Sequence, residues 1–118
     1  MAETIARLQA DIRGKGITFF LTVEQSKLAG GARLHPSTLL IFGNPALGAQ
    51  YIAANPDSGL DWPVRLLVYE RPKGEVWVAY TDFAFIARRH GLDPKLPIFR
   101  TASAVIASIA ASVAQPKH

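Results

Sequence analysis

The chain has no cysteine, which removes disulfides, thiolate metal sites and cysteine nucleophiles from consideration and leaves the redox compartment unmarked. Its three histidines, His35, His90 and His118, lie too far apart for their spacing to suggest a metal site. Clustered positive charge is also lacking. The net charge is +4, but the basic residues are scattered from Arg7 to Lys117 with acids between them, and the densest group is only Arg88-Arg89-His90. Nucleic-acid binding needs several phosphate-reaching cations on one face with aromatic platforms among them, so it is not expected here. No stretch supplies about twenty predominantly apolar residues, so no membrane span is expected. The first residues, MAETIARLQADIRGKG, carry charge throughout their periodic pattern and have neither a continuous apolar core nor a small-residue cleavage site. They do not read as a signal peptide, and the cytoplasm is the expected location. Internal repeats, low-complexity tracts and flexible linkers are missing as well.

What is present is enough for one core. A chain of 118 residues, 49% hydrophobic and 19% charged, is too small for two independent cores and too apolar to stay disordered, so residues 1–118 are expected to form a single domain. Ile5, Leu8 and Ile12 recur at helical spacing, with Gly14 and Gly16 behind them as stops. ITFFLTVE then alternates Ile17, Phe19, Leu21 and Val23 against Thr18, Phe20, Thr22 and Glu24, which predicts a strand with the first set on its buried face. Gln25 to Ala29 is expected to form a short helix ended by Gly30-Gly31, and STLLIF, Ser37 to Phe42, a central strand.

The next stretch, IFGNPALG, poses a choice between a phosphate-cradling loop and the start of a helix. Asn44 is a favoured N-cap and Pro45 suits the first helical position, whose N–H has no intrahelical partner to lose. A phosphate loop would need more glycine and a Lys followed by Ser or Thr, and none follows. Helix-start chemistry is therefore the reading, with a helix from Ala46 to Asn55 and a loop at Pro56 to Gly59. VRLLVYE and EVWVAYT flank the turn Arg71-Pro72-Lys73-Gly74 and predict an antiparallel hairpin. Asp82 caps DFAFIARRHG, whose last turn is cationic and whose Gly91 follows as a stop. A last helix carries Phe99, Ala102, Ile106, Ile109 and Val113 along one stripe. From Thr101 to Pro116 it has no charged residue, so its outer face is expected to meet a second copy of the chain. The order of elements suggests helices on one face of a mainly antiparallel sheet, an α+β fold.

The run from Leu39 to Leu92 also carries motifs in a familiar order: IFGNP, GLDWPVRLLVYE, G-x-VWVAY and ARRHGL. In these it resembles the bacterial and archaeal domain of unknown function 302 (DUF302), over about four fifths of the chain once the first helix and ITFFLTVE are included. The resemblance implies a fold similar to that of the TATA-binding protein, an antiparallel sheet with helices on one side, and no DNA binding follows from that topology. Members generally begin with a strand before the first helix; the present chain starts almost inside that helix, so an N-terminal edge strand is expected to be missing or supplied by a partner. Many members carry an acid followed by histidine after the second strand. Here Glu24 matches the acid and Gln25 stands in place of the histidine, so chemistry requiring that imidazole is not expected. The family has no established activity to transfer.

The candidate site residues are Asn44, Asp61, Tyr80, Asp82 and His90. A carboxylate, a phenol and an imidazole are the usual parts of general acid–base work, which makes an enzyme using Asp61, Tyr80 or His90 the alternative reading. Each also has a structural reading: Asp82 as a cap, His90 at a helix C-terminus, Tyr80 as a sheet residue and Asp61 tying down the loop before Pro63. His35 reads as a strand-edge residue, and Trp62, Trp77, Phe42, Tyr51 and Tyr69 as core or interface. No spacing demands chemistry, so no catalytic residue, metal or cofactor is assigned. The expectation is a non-enzymatic module, dimeric, binding a small molecule or protein partner through the sheet face and adjacent loops.

Overall fold

The antiparallel hairpin and the alternating strands assemble, in a computed structural model that describes residues 1–30 and 34–113, into one four-stranded sheet. The elements are α1 (Ala2–Gly14), β1 (Thr18–Glu24), α2 (Gln25–Leu28), β2 (Ser37–Gly43), α3 (Pro45–Ala54), a 3-10 segment (Pro56–Asp61), β3 (Val64–Glu70), β4 (Val76–Tyr80), α4 (Phe83–Arg89) and α5 (Pro97–Ala111). Strand order follows chain order, β1-β2-β3-β4, and every pairing is antiparallel, with a tight turn joining β3 to β4 and helical connections joining the others. The fold is α+β, as the periodicity implied. Pro56 to Gly59, expected as a loop, instead lies in the 3-10 segment, launched by the Asn55 side chain accepting from the Asp57 amide at 3.1 Å. Gly31, one of the two glycines expected to end α2, and the end of the uncharged run beyond Val113 lie outside the described residues.

One core binds the helices to one face of the sheet. Leu40, Phe42, Leu66 and Val68 project from the two central strands, and Leu8 and Ile12 of α1, Tyr51 of α3, Phe83 and Ile86 of α4, and Phe99, Ile106 and Ile109 of α5 close over them. Fully burying an aliphatic or aromatic side chain of this kind is worth about 1.5–3 kcal/mol, so this layer contributes most of the stabilisation. The opposite face has no such cover. Leu21, Val23, Leu39, Ile41, Leu67, Tyr69 and Trp77 belong neither to the buried cluster nor to the residues packed against it.

Leu21 corrects the simple alternation. It was expected beside Ile17 and Phe19, but the register steps from Phe19 opposite Phe42 to Leu21 opposite Ile41, with Phe20 as the additional residue of a β-bulge. Beyond the bulge the faces are exchanged: Leu21 and Val23 turn to the bare face, while Thr22, opposite buried Leu40, turns to the helices and accepts from Gln9 Nε2 at 3.3 Å. Phe20, expected opposite Phe19 with Glu24, instead stands edge-on to the Trp62 ring at 5.6 Å.

Candidate functional site

Two of the candidates are occupied by helix starts. The Asn44 carboxamide oxygen accepts from the amides of Ala46 (3.0 Å) and Leu47 (3.2 Å), and Asp82 Oδ1 accepts from Ala84 N at 3.0 Å. Tyr80 is a 40% exposed strand residue opposite Leu66, and among the described residues no hydrogen bond joins it to Asp61, Asp82 or His90. The stretch IFGNPALG has a further use: its two glycines form the seat of an indole. A methyl group on Gly43 or Gly48 would come within 2.8 Å or 2.3 Å of Trp62, so only glycine allows this approach.

Asp61 and His90 do converge, across 29 positions of sequence. Asp61 ends the 3-10 segment and His90 ends α4, and His90 Nε2 lies 2.5 Å from Asp61 Oδ2, with both side chains about 5% exposed. The other carboxylate oxygen faces Arg89 Nη1 at 3.4 Å and Arg65 Nη2 at 4.0 Å, both guanidinium groups being half-exposed. A buried carboxylate needs such partners, since removing its charge from water is expensive. His90 therefore serves α4 less as a counter-charge than as the hand that holds Asp61. Asn55 completes the tie by donating from Nδ2 to the His90 carbonyl oxygen at 2.7 Å. Below it the Tyr51 hydroxyl donates to the Asp61 carbonyl at 3.3 Å, and the Ser58 hydroxyl lies between the carbonyls of Tyr51 (2.8 Å) and Asn55 (2.7 Å). Burial, and secondarily the Asp61 charge, push the Tyr51 phenol well above its ordinary range, which holds it neutral as a donor.

Beside this knot, Asp61, Val64, Arg65, Thr81, Phe83 and Ile86 line a cleft of about 20 Å³, room for a single water. The arrangement can hold a water between a carboxylate and a guanidinium, but as it stands it admits no organic substrate. Among the described residues no three His, Asp or Glu side chains converge to hold a metal ion. Sequence reasoning placed Asp61 and His90 among the site residues but not Arg65, Arg89, Asn55, Tyr51 or Ser58, and it read Tyr51 as core or interface and Arg89 as a cation of the α4 C-terminus. Only the four-residue step from Asp61 to Arg65 hinted at any of them.

A second concavity lies on the bare face. Leu39, Leu67, Ala79, Tyr80, Thr81 and Arg65 line a trough of about 350 Å³. Its floor is one cross-strand row, Leu39 opposite Leu67 opposite Ala79, with Tyr69 and Trp77 in the next row on one side and Arg65 on the other.

This sheet and its helical layer fit a known group of proteins. The model of the family "Domain of unknown function DUF302" matches residues 1–115. The chain belongs to that family. A crystal structure of an uncharacterized conserved DUF302 protein from Bacillus stearothermophilus superposes with a TM-score of 0.84, covering 97% of this chain and 91% of that one at 21% identity, so the fold is shared. The chain is also 38% identical, over 94 residues, to a protein of Brucella suis biovar 1 (strain 1330) named fluoride-specific ion channel FluC 1. A protein of Brucella melitensis biotype 1 named fluoride-specific ion channel FluC 2 matches over the same length at the same identity. These matches take in 78% of the present chain but only 37% and 35% of the two relatives, so the family domain spans about a third of their length.

Proposed function

We propose that this DUF302 domain is a non-enzymatic binding module that works as a dimer in the cytoplasm and recognises its ligand on the sheet face that the helices leave bare. The observation that carries this reading is the row of apolar side chains on a face without helical cover, next to an open trough. Exposed apolar area of this kind, rimmed by polar groups, marks interaction sites in soluble folds. The candidate site residues point the same way: Asn44 and Asp82 are spent on caps, and Asp61 and His90 on each other. The dimer contact is assigned to the outer face of α5, where Thr101, Ala104, Ala107, Ser108 and Ala111 are exposed and a second helix can approach closely. No helix of the described residues is long and apolar enough to cross a membrane, and a match over about a third of the Brucella relatives gives no basis for assigning ion conduction to this chain.

Native mass spectrometry of the protein taken from its source reads both parts of the proposal. The expected result is a dimer mass with a co-purified small molecule, and a bare monomer at high micromolar concentration would overturn it. The second reading, an enzyme, is favoured only by the Asp61–His90 contact beside its cleft. Turnover that disappears in His90→Gln while the fold persists would move the assignment to that reading.

A further inference from the structure

We propose that the trough on the bare face is a site for a small organic monoanion with a flat apolar body, its acidic group held by Arg65. This deepens the binding-module reading and rests on it. Three observations converge. The trough has about 350 Å³, within the range of small-ligand sites, whereas the cleft beside Asp61 holds only a water. Its floor is aliphatic and nearly flat, because Ala79 is the small residue of β4 between Trp77 and the trough's Thr81 end. Its one charge is surplus. Asp61 is already held by His90 at 2.5 Å and Arg89 at 3.4 Å, while Arg65 stands back at 4.0 Å with 55% of its side chain exposed. One carboxylate cannot neutralise two guanidinium groups, so positive charge remains at the rim, and the half-exposed Arg65, held to Asp61 only by a long contact, can turn to take a planar carboxylate through paired N–H donors. Thr81 lines the same trough and carries a hydroxyl that can serve as a further donor. Charge and shape together thus select a ring or short chain carrying one acidic group.

The test is an amide-resolved NMR titration with phenylacetate, with phenylacetamide as its uncharged counterpart. Phenylacetate is expected to shift the amides of Leu39, Leu67, Ala79 and Thr81, and phenylacetamide to bind at least tenfold more weakly. Arg65→Gln should weaken phenylacetate by a similar factor, Arg65→Lys should restore part of it, and Ala79→Phe should abolish binding by filling the trough while the melting temperature stays near that of the parent. Equal binding of the acid and the amide, no effect of Arg65→Gln, or shifts confined to another surface would overturn the proposal, as would no shift up to about 10 mM ligand, the edge of measurable affinity. A co-purified neutral compound or peptide on the same face would sink the anion site and leave the binding module standing. An empty sheet face in both experiments would sink both.

Discussion

The indole of Trp62 lies so close to Gly48 that a Cβ there would sit 2.3 Å from Nε1, and 2.8 Å from the same ring at Gly43. Two opposed effects therefore meet at Gly48. Alanine in a helix interior is favoured over glycine by about 1 kcal/mol, while overpacking a filled site costs about 1–3 kcal/mol. The clash is expected to win, so Gly48→Ala should lower stability by a net of up to about 2 kcal/mol, seen as a lower urea midpoint at unchanged slope. In a Trp62→Ala background the same change should turn stabilising, and a glycine effect of the same sign in both backgrounds would refute the seat.

Asp61 and the two capping residues should differ in size of effect. Asn44→Ala and Asp82→Ala each remove one cap and are expected to cost about 1 kcal/mol. Asp61→Ala removes the acceptor for a buried imidazole and two guanidinium groups, and should cost about 3 kcal/mol, the lower end for a broken buried pair because both arginines can swing into water. Chemical denaturation of the three variants in parallel decides it. Equal losses would mean that the Asp61–His90 contact contributes no more than a surface cap.

Tyr51 sets an upper limit on alkaline stability. Its folded-state pKa is raised above the unfolded value of 10.0, mainly by burial, so the native state holds the phenol proton after the unfolded chain has released it. Its contribution is complete below pH 10 and is lost as the pH rises from there toward the folded-state value, at up to about 1.4 kcal/mol per pH unit. Tyr51→Phe keeps the ring stacked on Phe99 but has no proton to lose, so its stability should fall less steeply than the parent's above pH 10. Parallel denaturation curves across that interval show whether it does.

Much of the fold was legible because its signals are local. Asn44-Pro45, Asp82 with Arg88 and Arg89, and the turn at Gly74 each act within one turn of backbone. The misreading of β1 has a physical cause: period two carries the face assignment only while each residue has one partner, and Phe20 has none. The site was legible in composition and illegible in arrangement. Asp61 and His90 stood out as titratable residues, but their contact depends on how the 3-10 segment and α4 end side by side. Likewise IFGNPALG was read correctly as a helix start, but the use of its two glycines was hidden because nothing in the sequence joins them to an indole fourteen positions beyond Gly48.

The bulge at Phe20 means that the frame of the first strand is kept by its neighbour rather than by its own count. A chain shortened by that one residue would straighten this edge and uncover a side of the Trp62 ring, yet Leu21 would still meet Ile41 and Val23 would still meet Leu39. The aliphatic margin offered to water would survive the deletion, and only the edge's resistance to joining another sheet would go with it.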